Sequence, residues 1–200
     1  DIVMDKHSIS FIVRDADKHM VHFTVNVLGG QNVQNILGAI LVAKEFGMTL
    51  EEFSVACKKI VQKQAGMTLQ QGIHGINIID SSYSSNPDGV MADLNYLNVF
   101  EGKKIIVMPC LIELAGRSKE VHHKIGKKIA QVCDLAIITT RDQFETLKNG
   151  AIQIGMNPEK IILCDKPNEI LAHITTFCKW GDAVLLEGRV PGELIGLLRK

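Results

Sequence analysis

The feature that most constrains the fold is a regular alternation that begins after residue 66. Short apolar runs rich in β-branched residues are each followed by a segment with apolar side chains at helical spacing. The clearest runs are residues 105–108, 135–140, 160–164 and 183–187. A strand that is buried on both faces reads as a continuous apolar run, so this alternation predicts a mostly parallel sheet with helices on both faces. We therefore predict a Rossmann-like α/β domain over residues 66–200.

The first 65 residues follow a different pattern. Segments 6–13 and 20–27 alternate apolar and polar residues and predict a β-hairpin. Apolar residues at helical spacing then predict a helix over 33–47, and a capping-box pattern at 49–52 opens a second helix. The pattern breaks at Ala65-Gly66, which predicts a boundary between this hairpin-plus-helices unit and the α/β domain.

The composition argues against several classes of protein. The 200 residues carry 22 Lys+Arg and 22 Asp+Glu, and this zero net charge disfavours a nucleic-acid or membrane-surface partner. No apolar run approaches about 18 residues, so no membrane span is predicted. The five cysteines form no C-x-x-C pair and predict reduced thiols in the cytosol, without a structural metal. The chain starts at Asp1 without a signal-peptide layout, and we expect a fragment of a longer protein.

The usual nucleotide-binding signatures are absent from the sequence. It has no G-x-x-x-x-G-K-[ST] phosphate loop and no G-x-G-x-x-G fingerprint. Parallel α/β sheets bind ligands at the carboxyl ends of their strands. The informative segments are therefore the loops that follow residues 80, 108, 140, 164 and 187.

The segment 78–88 (IIDSSYSSNPD) is the most polar of these loops. It places a carboxylate, hydroxyls, a phenol and an amide between a strand and a helix, and such groups can bind a ribose or a phosphate. The alternative is a simple helix start, with Asn86 or Ser85 as the N-cap, Pro87 in the first turn and Asp88 near the helix dipole.

Four segments, in order along the chain, resemble motifs of the Mur ligases. Residues 29–40 (GGQNVQNILGAI) resemble G-x-H-N-V-x-N-x-L-A-A-I, and residues 80–87 (DSSYSSNP) resemble D-D-[ST]-Y-N-[AS]-N-P. Residues 107–115 (VMPCLIELA) resemble V-T-P-G-M-[IV]-E-L-G, and residues 184–191 (VLLEGRVP) resemble V-L-x-E-N-D-L-P. Within the family the resemblance is closest to the type that adds D-alanyl-D-alanine to a UDP-muramoyl tripeptide.

The resemblance implies a cytoplasmic, ATP-dependent ligase of peptidoglycan precursor synthesis. In this family ATP, with Mg²⁺, phosphorylates a carboxylate of a UDP-linked muramoyl peptide, and the amine of an amino acid or dipeptide attacks the acyl phosphate. By resemblance, residues 1–65 form the tail of the central ATP-binding domain. Residues 66–200 form the C-terminal domain, which closes on ATP and positions the amine substrate. Because the sequence lacks the phosphate loop, we expect no ligation by this chain alone.

The resemblance also implies residues that contact the nucleotide. Asn32 and Asn35 match the asparagines near the adenine, while Asp80, Tyr83 and Asn86 match the segment that reaches the ribose. For Asn32 the alternative is a helix cap, and for Tyr83 and Asn86 it is a structural turn.

A second set matches the part of the family that meets the amine substrate. These residues are Glu113, Ser118, His122, Glu187 and Arg189. The alternative for the first three is helix capping and solvent exposure, and for the arginine a surface position. No catalytic residue and no metal ligand is expected in this chain.

Several positions depart from the family pattern. Cys110 and Ala115 stand where the family has glycines, and Ser81 replaces a second aspartate. Two other functions therefore stay open: a non-catalytic nucleotide- or peptide-binding module derived from such a ligase, and a different Rossmann-like enzyme such as a dehydrogenase. The missing glycine-rich fingerprint disfavours the dehydrogenase.

Overall fold

The computed structural model describes residues 1–60 and 66–199. The chain folds into two compact units, unit 1 (residues 1–65) and unit 2 (residues 66–200). At the predicted boundary, Ala65 lies outside the described residues.

Unit 1 is a small antiparallel sheet with two helices. Its strands are β1 (Ile2–Met4), β2 (Ile9–Arg14) and β3 (Met20–Val25), in the spatial order β1-β2-β3. Its helices are α1 (Asn32–Glu45) and α2 (Leu50–Cys57). The predicted hairpin and both predicted helices are present, whereas β1 was not predicted.

Local sequence accounts for the way unit 1 folds. In the predicted capping box, Glu52 N donates to Thr49 Oγ1 at 3.2 Å, and Thr49 N donates to Glu52 Oε2 at 2.9 Å. Alternate residues of the hairpin point inward, and the rings of Phe11 and Phe23 stack with centroids 5.4 Å apart. The inward face of α1, including Ile36, completes this core.

Unit 2 is a three-layer α/β structure. Its strands are β4 (Thr68–Gln71), β5 (Asn77–Ser81), β6 (Lys104–Met108), β7 (Leu135–Ile138), β8 (Ile161–Leu163) and β9 (Ala183–Glu187). Its helices are α3 (Pro87–Leu97), α4 (Ser118–Val132), α5 (Phe144–Gln153), α6 (Pro167–Phe177) and α7 (Gly192–Leu198). The sheet order is β4-β5-β9-β6-β7-β8, and β4 alone among these described strands runs antiparallel to its neighbour.

The apolar runs of the sequence become the central strands of this sheet. Every residue of β7 and β9 is buried, as expected for strands covered on both faces. Helices α4 and α5 pack closely because glycines face the partner helix. A Cβ at Gly126 would lie 2.0 Å from Leu147 O, and one at Gly150 would lie 2.3 Å from His123 O. The predicted α/β fold with a mostly parallel sheet is confirmed.

All five cysteines lie in the described part of the chain, and all are buried free thiols. Burial raises the pKa of the thiols of Cys57, Cys133 and Cys164, and it raises the pKa of Cys178 to about 12. In the two described stretches, no helix has both the length and the apolar character needed to cross a bilayer.

Candidate functional site

A cavity of about 390 Å³ opens at the carboxyl ends of the parallel strands of unit 2. We call it the sheet-end cavity. Its lining residues are Ser84, Ser85, Pro109, Cys110, Leu111, Ile112, Glu113, Thr140, Asp142 and Arg189. They come from the segments that follow β5, β6, β7 and β9, which is where sheets of this class bind their ligands.

Charged groups of both signs line this cavity. Arg189 is exposed just after β9, while Glu113 follows β6 and Asp142 follows β7, and both carboxylates are exposed. A cation and two anions around one cavity can bind a ligand that carries both charges, because each end finds an opposite charge. Glu113 and Arg189 were predicted as substrate contacts, whereas Asp142 was not.

One wall of the cavity is the β6–α4 loop, which we define as residues 109–117. Glu113 and Ala115 both have positive φ in this loop, 61° and 46°. L-residues rarely adopt this conformation, and the family pattern has a glycine at the second position. Such a backbone persists where the surroundings hold it.

The loop after β5 has an unambiguous local role. Asn86 is the N-cap of α3, and its Oδ1 accepts from Gly89 N at 2.9 Å, with Pro87 in the first turn. The helix-start alternative is thus realised, although it does not test a nucleotide contact. The phenol of Tyr83 is 76% exposed, so it is free to meet a ligand.

Asp80, the predicted ribose contact, already has partners within unit 2. Its Oδ1 accepts from Ser82 N at 3.1 Å and from Ser82 Oγ at 2.5 Å. Its Oδ2 accepts from Arg199 Nη2 at 2.9 Å, and this side chain is 14% exposed. A ribose hydroxyl would therefore have to share or replace an existing partner of this carboxylate.

Glu187 lies at the end of β9 and is only 1% exposed. Its carboxyl group hydrogen-bonds to Asp93 of α3, which also accepts a hydrogen bond from Ser81 Oγ. Burial, reinforced by the neighbouring Asp93 charge, raises the pKa of Glu187 to about 10, and burial also raises the pKa of Asp93. The pair of carboxyl groups therefore retains a proton at neutral pH. A direct substrate contact would require it to leave this buried position.

His122 is likewise unavailable to a ligand where it stands. The residue has no exposed surface, and both ring nitrogens are used within unit 2. Its Nε2 accepts from Leu111 N at 2.9 Å, and its Nδ1 lies 2.6 Å from Ser118 O. Ser118 is the first residue of α4 and is partly exposed, and its Oγ lies 3.4 Å from His122 Nδ1.

Unit 1 contains a second concave feature, a cleft of about 220 Å³. It is lined by Val25, Val27, Asn32, Asn35, Ile36, Ala39, Phe53 and Ile60. Both predicted adenine contacts therefore face one apolar cleft. Asn32 does not cap α1: the N-cap position is Gln31, and Asn32 Nδ2 donates to Leu28 O at 2.8 Å.

The structure thus sorts the predicted residues into three groups. Asn32 and Asn35 line the cleft of unit 1, and Glu113 and Arg189 line the sheet-end cavity of unit 2. Of the remaining residues, Asn86 and Ser118 lie at helix starts and His122 and Glu187 are buried within unit 2, while Asp80 is partly exposed at the end of β5 and Tyr83 is exposed in the loop that follows. Residues 1–60 and 66–199 contain no cluster of three or more His, Cys, Asp or Glu side chains suited to a metal ion.

Asp93 was missed from the sequence although a signal was present. It falls among Val90, Leu94 and Leu97 on the inner face of α3, where a carboxylate is out of place. A polar residue on an apolar helix face requires a buried partner, and here that partner is Glu187.

Comparison with known proteins gives a family match over most of unit 2. Residues 67–190 match the model of the family described as "Mur ligase, glutamate ligase domain". A UDP-N-acetylmuramoyl-tripeptide–D-alanyl-D-alanine ligase of Haemophilus influenzae is 25% identical over 109 residues, which are 54% of this chain and 24% of that protein. The Bacillus subtilis protein of the same name is 28% identical over 112 residues, with the same coverage. The match thus spans about a quarter of the length of either relative.

Two solved structures share the fold. MurF from Acinetobacter baumannii gives a TM-score of 0.82 at 21% identity, covering 100% of this chain and 44% of that one. MurF ligase from Thermotoga maritima in complex with ADP gives 0.76 at 24% identity, covering 98% and 44%. This chain therefore spans less than half the length of these structures.

Proposed function

The chain belongs to the Mur ligase family, and we propose that it is part of an ATP-dependent ligase that forms an amide bond on a peptidoglycan precursor. The family match and the names of the relatives support this reaction class. Within the chain, the proposal depends on one observation, the sheet-end cavity with an arginine and two carboxylates in its walls. We assign unit 1 to the ATP-binding part and unit 2 to the C-terminal domain of such a ligase.

In this proposal the sheet-end cavity holds the incoming amino acid or dipeptide. Such a molecule carries a carboxylate and an ammonium group before reaction. Arg189 can bind the carboxylate through a two-point fork, and Glu113 or Asp142 can face the ammonium group. Ser118 Oγ remains a predicted contact at the start of α4. The dipeptide of the named relatives, D-alanyl-D-alanine, is the substrate that we propose to test first.

The nucleotide contacts are proposed for each unit by itself. The apolar cleft of unit 1 suits an adenine ring, and the amides of Asn32 and Asn35 can donate to and accept from its edge. In unit 2, Tyr83 is exposed, whereas Asp80 and Asn86 would offer groups that already have partners. Closure of the C-terminal domain over ATP remains a prediction.

ATP supplies the activation of the substrate carboxyl group as an acyl phosphate. The residues of this chain would bind and orient the attacking amine and keep water from the activated carboxyl group. The described residues offer no cluster suited to Mg²⁺, and we assign no step to the ion within this chain.

Steady-state kinetics of the intact ligase test the proposal. We expect Arg189→Ala to raise the KM for D-alanyl-D-alanine about tenfold or more, because a charge-assisted contact is lost, and to leave the KM for ATP unchanged. Asp80→Ala should act mainly on the KM for ATP. Arg117→Ala is the matched control, since Arg117 is exposed in the same region without lining the cavity.

Equal effects of Arg189→Ala on both substrates would contradict the assignment of the cavity. An intact protein that binds nucleotide but shows no turnover would instead support the non-catalytic binding module.

A further inference from the structure

The β6–α4 loop carries Glu113 into the wall of the sheet-end cavity on a strained backbone. The backbone of Glu113 and of Ala115 lies in the left-handed region. Ile112, which also lines the cavity, is 71% exposed. An unsupported loop with these features would relax, because nothing in its own sequence favours positive φ. Its conformation must therefore be imposed by the elements around it.

Side chains from two neighbouring elements hold the start of the loop. Cys110 N donates to Thr140 Oγ1 at 2.8 Å beyond the end of β7, and Gln143 N donates to Cys110 Sγ at 3.4 Å. Leu111 N donates to His122 Nε2 at 2.9 Å, from the buried face of α4. The last contact is fully buried and lies two residues before Glu113.

The contacts of His122 define its proton arrangement. A backbone N–H points at Nε2, so this nitrogen must be the unprotonated acceptor. A carbonyl oxygen, Ser118 O, lies 2.6 Å from Nδ1, so Nδ1 must carry the proton. The neutral Nδ1–H tautomer therefore joins the first turn of α4 to the β6–α4 loop. No other tautomer satisfies both partners.

We propose that His122 is a positioning residue that holds the β6–α4 loop in a ligand-ready conformation. It fixes Leu111 and thereby places Glu113 in the cavity wall before any ligand binds. This inference rests on the proposed function only in taking the cavity as the amine-substrate site. A preformed site loses less entropy on binding, so loss of the contact should weaken ligand affinity at the cavity.

Two amide variants separate positioning from simple core packing. The amide oxygen of Gln reaches the place of Nε2 and can still accept from Leu111 N. The shorter amide of Asn reaches the place of Nδ1 and leaves Leu111 N without its acceptor. Both variants are polar and neutral, and because Asn also leaves a larger void than Gln at this buried position, the loss of packing is measured separately, by exchange in strands away from the contact. His123→Asn, at the partly exposed neighbouring position, is the matched control.

The first measurement uses the 200-residue chain and needs no substrate. Nitrogen NMR of the wild type should show an unprotonated Nε2, a protonated Nδ1 and a coupling across the hydrogen bond from Leu111 N. Amide exchange at Leu111 should be about five- to tenfold faster in His122→Asn, as expected for one lost hydrogen bond, and close to wild type in His122→Gln. Exchange in β7 and β9 serves as the internal reference for overall stability.

The second measurement is steady-state kinetics of the intact ligase. We expect His122→Asn to raise the KM for D-alanyl-D-alanine about five- to tenfold without changing the KM for ATP, and His122→Gln to restore most of the loss. If the exchange result holds but neither variant changes this KM, the loop is positioned and the assignment of the cavity is wrong.

Two results would overturn the positioning role itself. One is a wild-type spectrum with the proton on Nε2, and this result stands even if a variant fails to fold. The other is equal Leu111 exchange in the Asn and Gln variants.

Discussion

Strand β9 has a buried carboxyl group at each end, and the two are accommodated in opposite ways. Asp182, directly before the strand, is 3% exposed and accepts from Lys103 N at 2.9 Å and from Lys179 N at 2.8 Å. Glu187, at the other end, is 1% exposed, shares a proton with Asp93 and has an Oε2 atom without a hydrogen-bond partner.

This difference separates the amino end of the strand, where the buried carboxyl group has backbone donors, from the carboxyl end, which adjoins the sheet-end cavity. Backbone N–H groups are fixed donors, and the Asp182 carboxyl group accepts from two of them, while its backbone carbonyl oxygen accepts from Asn77 Nδ2. At the carboxyl end, the chain continues from β9 through Gly188 to Arg189 in the cavity wall. Glu187 and Asp93 are buried there against each other. A buried pair of acids costs stability, and such costs concentrate near binding sites.

The largest effect on stability is expected at the amino end of β9. Asp182→Ala should lower the free energy of unfolding by about 3 kcal/mol, because two backbone donors lose a charged acceptor. Urea denaturation at pH 7 measures this loss. Asp134→Ala is the control, since exposed Asp134 accepts one comparable bond, from Lys104 N at 2.8 Å. If Asp134→Ala lowers the free energy of unfolding as much as Asp182→Ala, the two hydrogen bonds of the buried Asp182 carboxyl group contribute no more than one exposed bond.

At the carboxyl end of β9, replacing the buried acid is expected to raise the free energy of unfolding instead of lowering it. The pKa of Glu187 lies near 10 in the folded chain and near 4.5 in the unfolded chain, so unfolding releases a proton between these values. Stability therefore falls as pH rises through this window. Glu187→Gln removes the titration and should stabilise the chain by about 2 kcal/mol at pH 8.

Urea denaturation of wild type and Glu187→Gln from pH 5 to pH 9 checks this prediction. The wild type should lose stability across the range relative to the variant. Parallel curves would show that Glu187 does not hold its proton.

A smaller effect is expected at Ser81. Its hydroxyl donates to Asp93 and helps to hold the pKa of that carboxyl group down, against the effect of burial. Ser81→Ala should cost about 1 kcal/mol and raise the pKa of Asp93, as measured by carbon NMR of the side-chain carboxyl during a pH titration. Ser82→Ala, which removes a hydroxyl bonded to Asp80 instead, should leave Asp93 unchanged.

The smallest effect is expected for the ion pair of Arg199 with Asp80, near the end of β5. Arg199 is 47% exposed, and its contact with Asp80 at 2.9 Å is screened by water. Arg199→Gln should therefore cost no more than about 0.5 kcal/mol in thermal or urea unfolding. If Arg199→Gln lowers the free energy of unfolding as much as Asp182→Ala, the exposure of a carboxylate's partner does not determine how much their contact stabilises the chain.

Most of the fold could be predicted because strand burial and helix capping depend on residues that are close together in the sequence. The continuous apolar run at 183–186 has no polar face to expose, and Thr49 and Glu52 form the predicted capping box. Strand β1 escaped prediction because three residues are too few to show a period. The reverse direction of β4 follows from its short connection to β5, which leaves no room for a crossover.

The candidate site was less predictable because a motif gives position along the chain and not side-chain direction. Glu113 and Arg189 follow strand ends and do line the sheet-end cavity. Glu187 lies in the fourth motif and His122 follows the third, but both side chains are buried, where Glu187 contacts Asp93 and His122 accepts from Leu111 N. Asp142 had no motif, and only the assembly of four loops brought it to the cavity.

The five buried thiols have a practical consequence for both units. Cys57 lies in unit 1, and the other four lie in unit 2, so a thiol reagent can follow each unit separately within one molecule. Because burial shields these sulfurs and raises several of their pKa values, labelling has to wait for an opening of the chain. Peptide-resolved mass spectrometry of the labelled chain would therefore show the urea concentration at which the surroundings of each cysteine open.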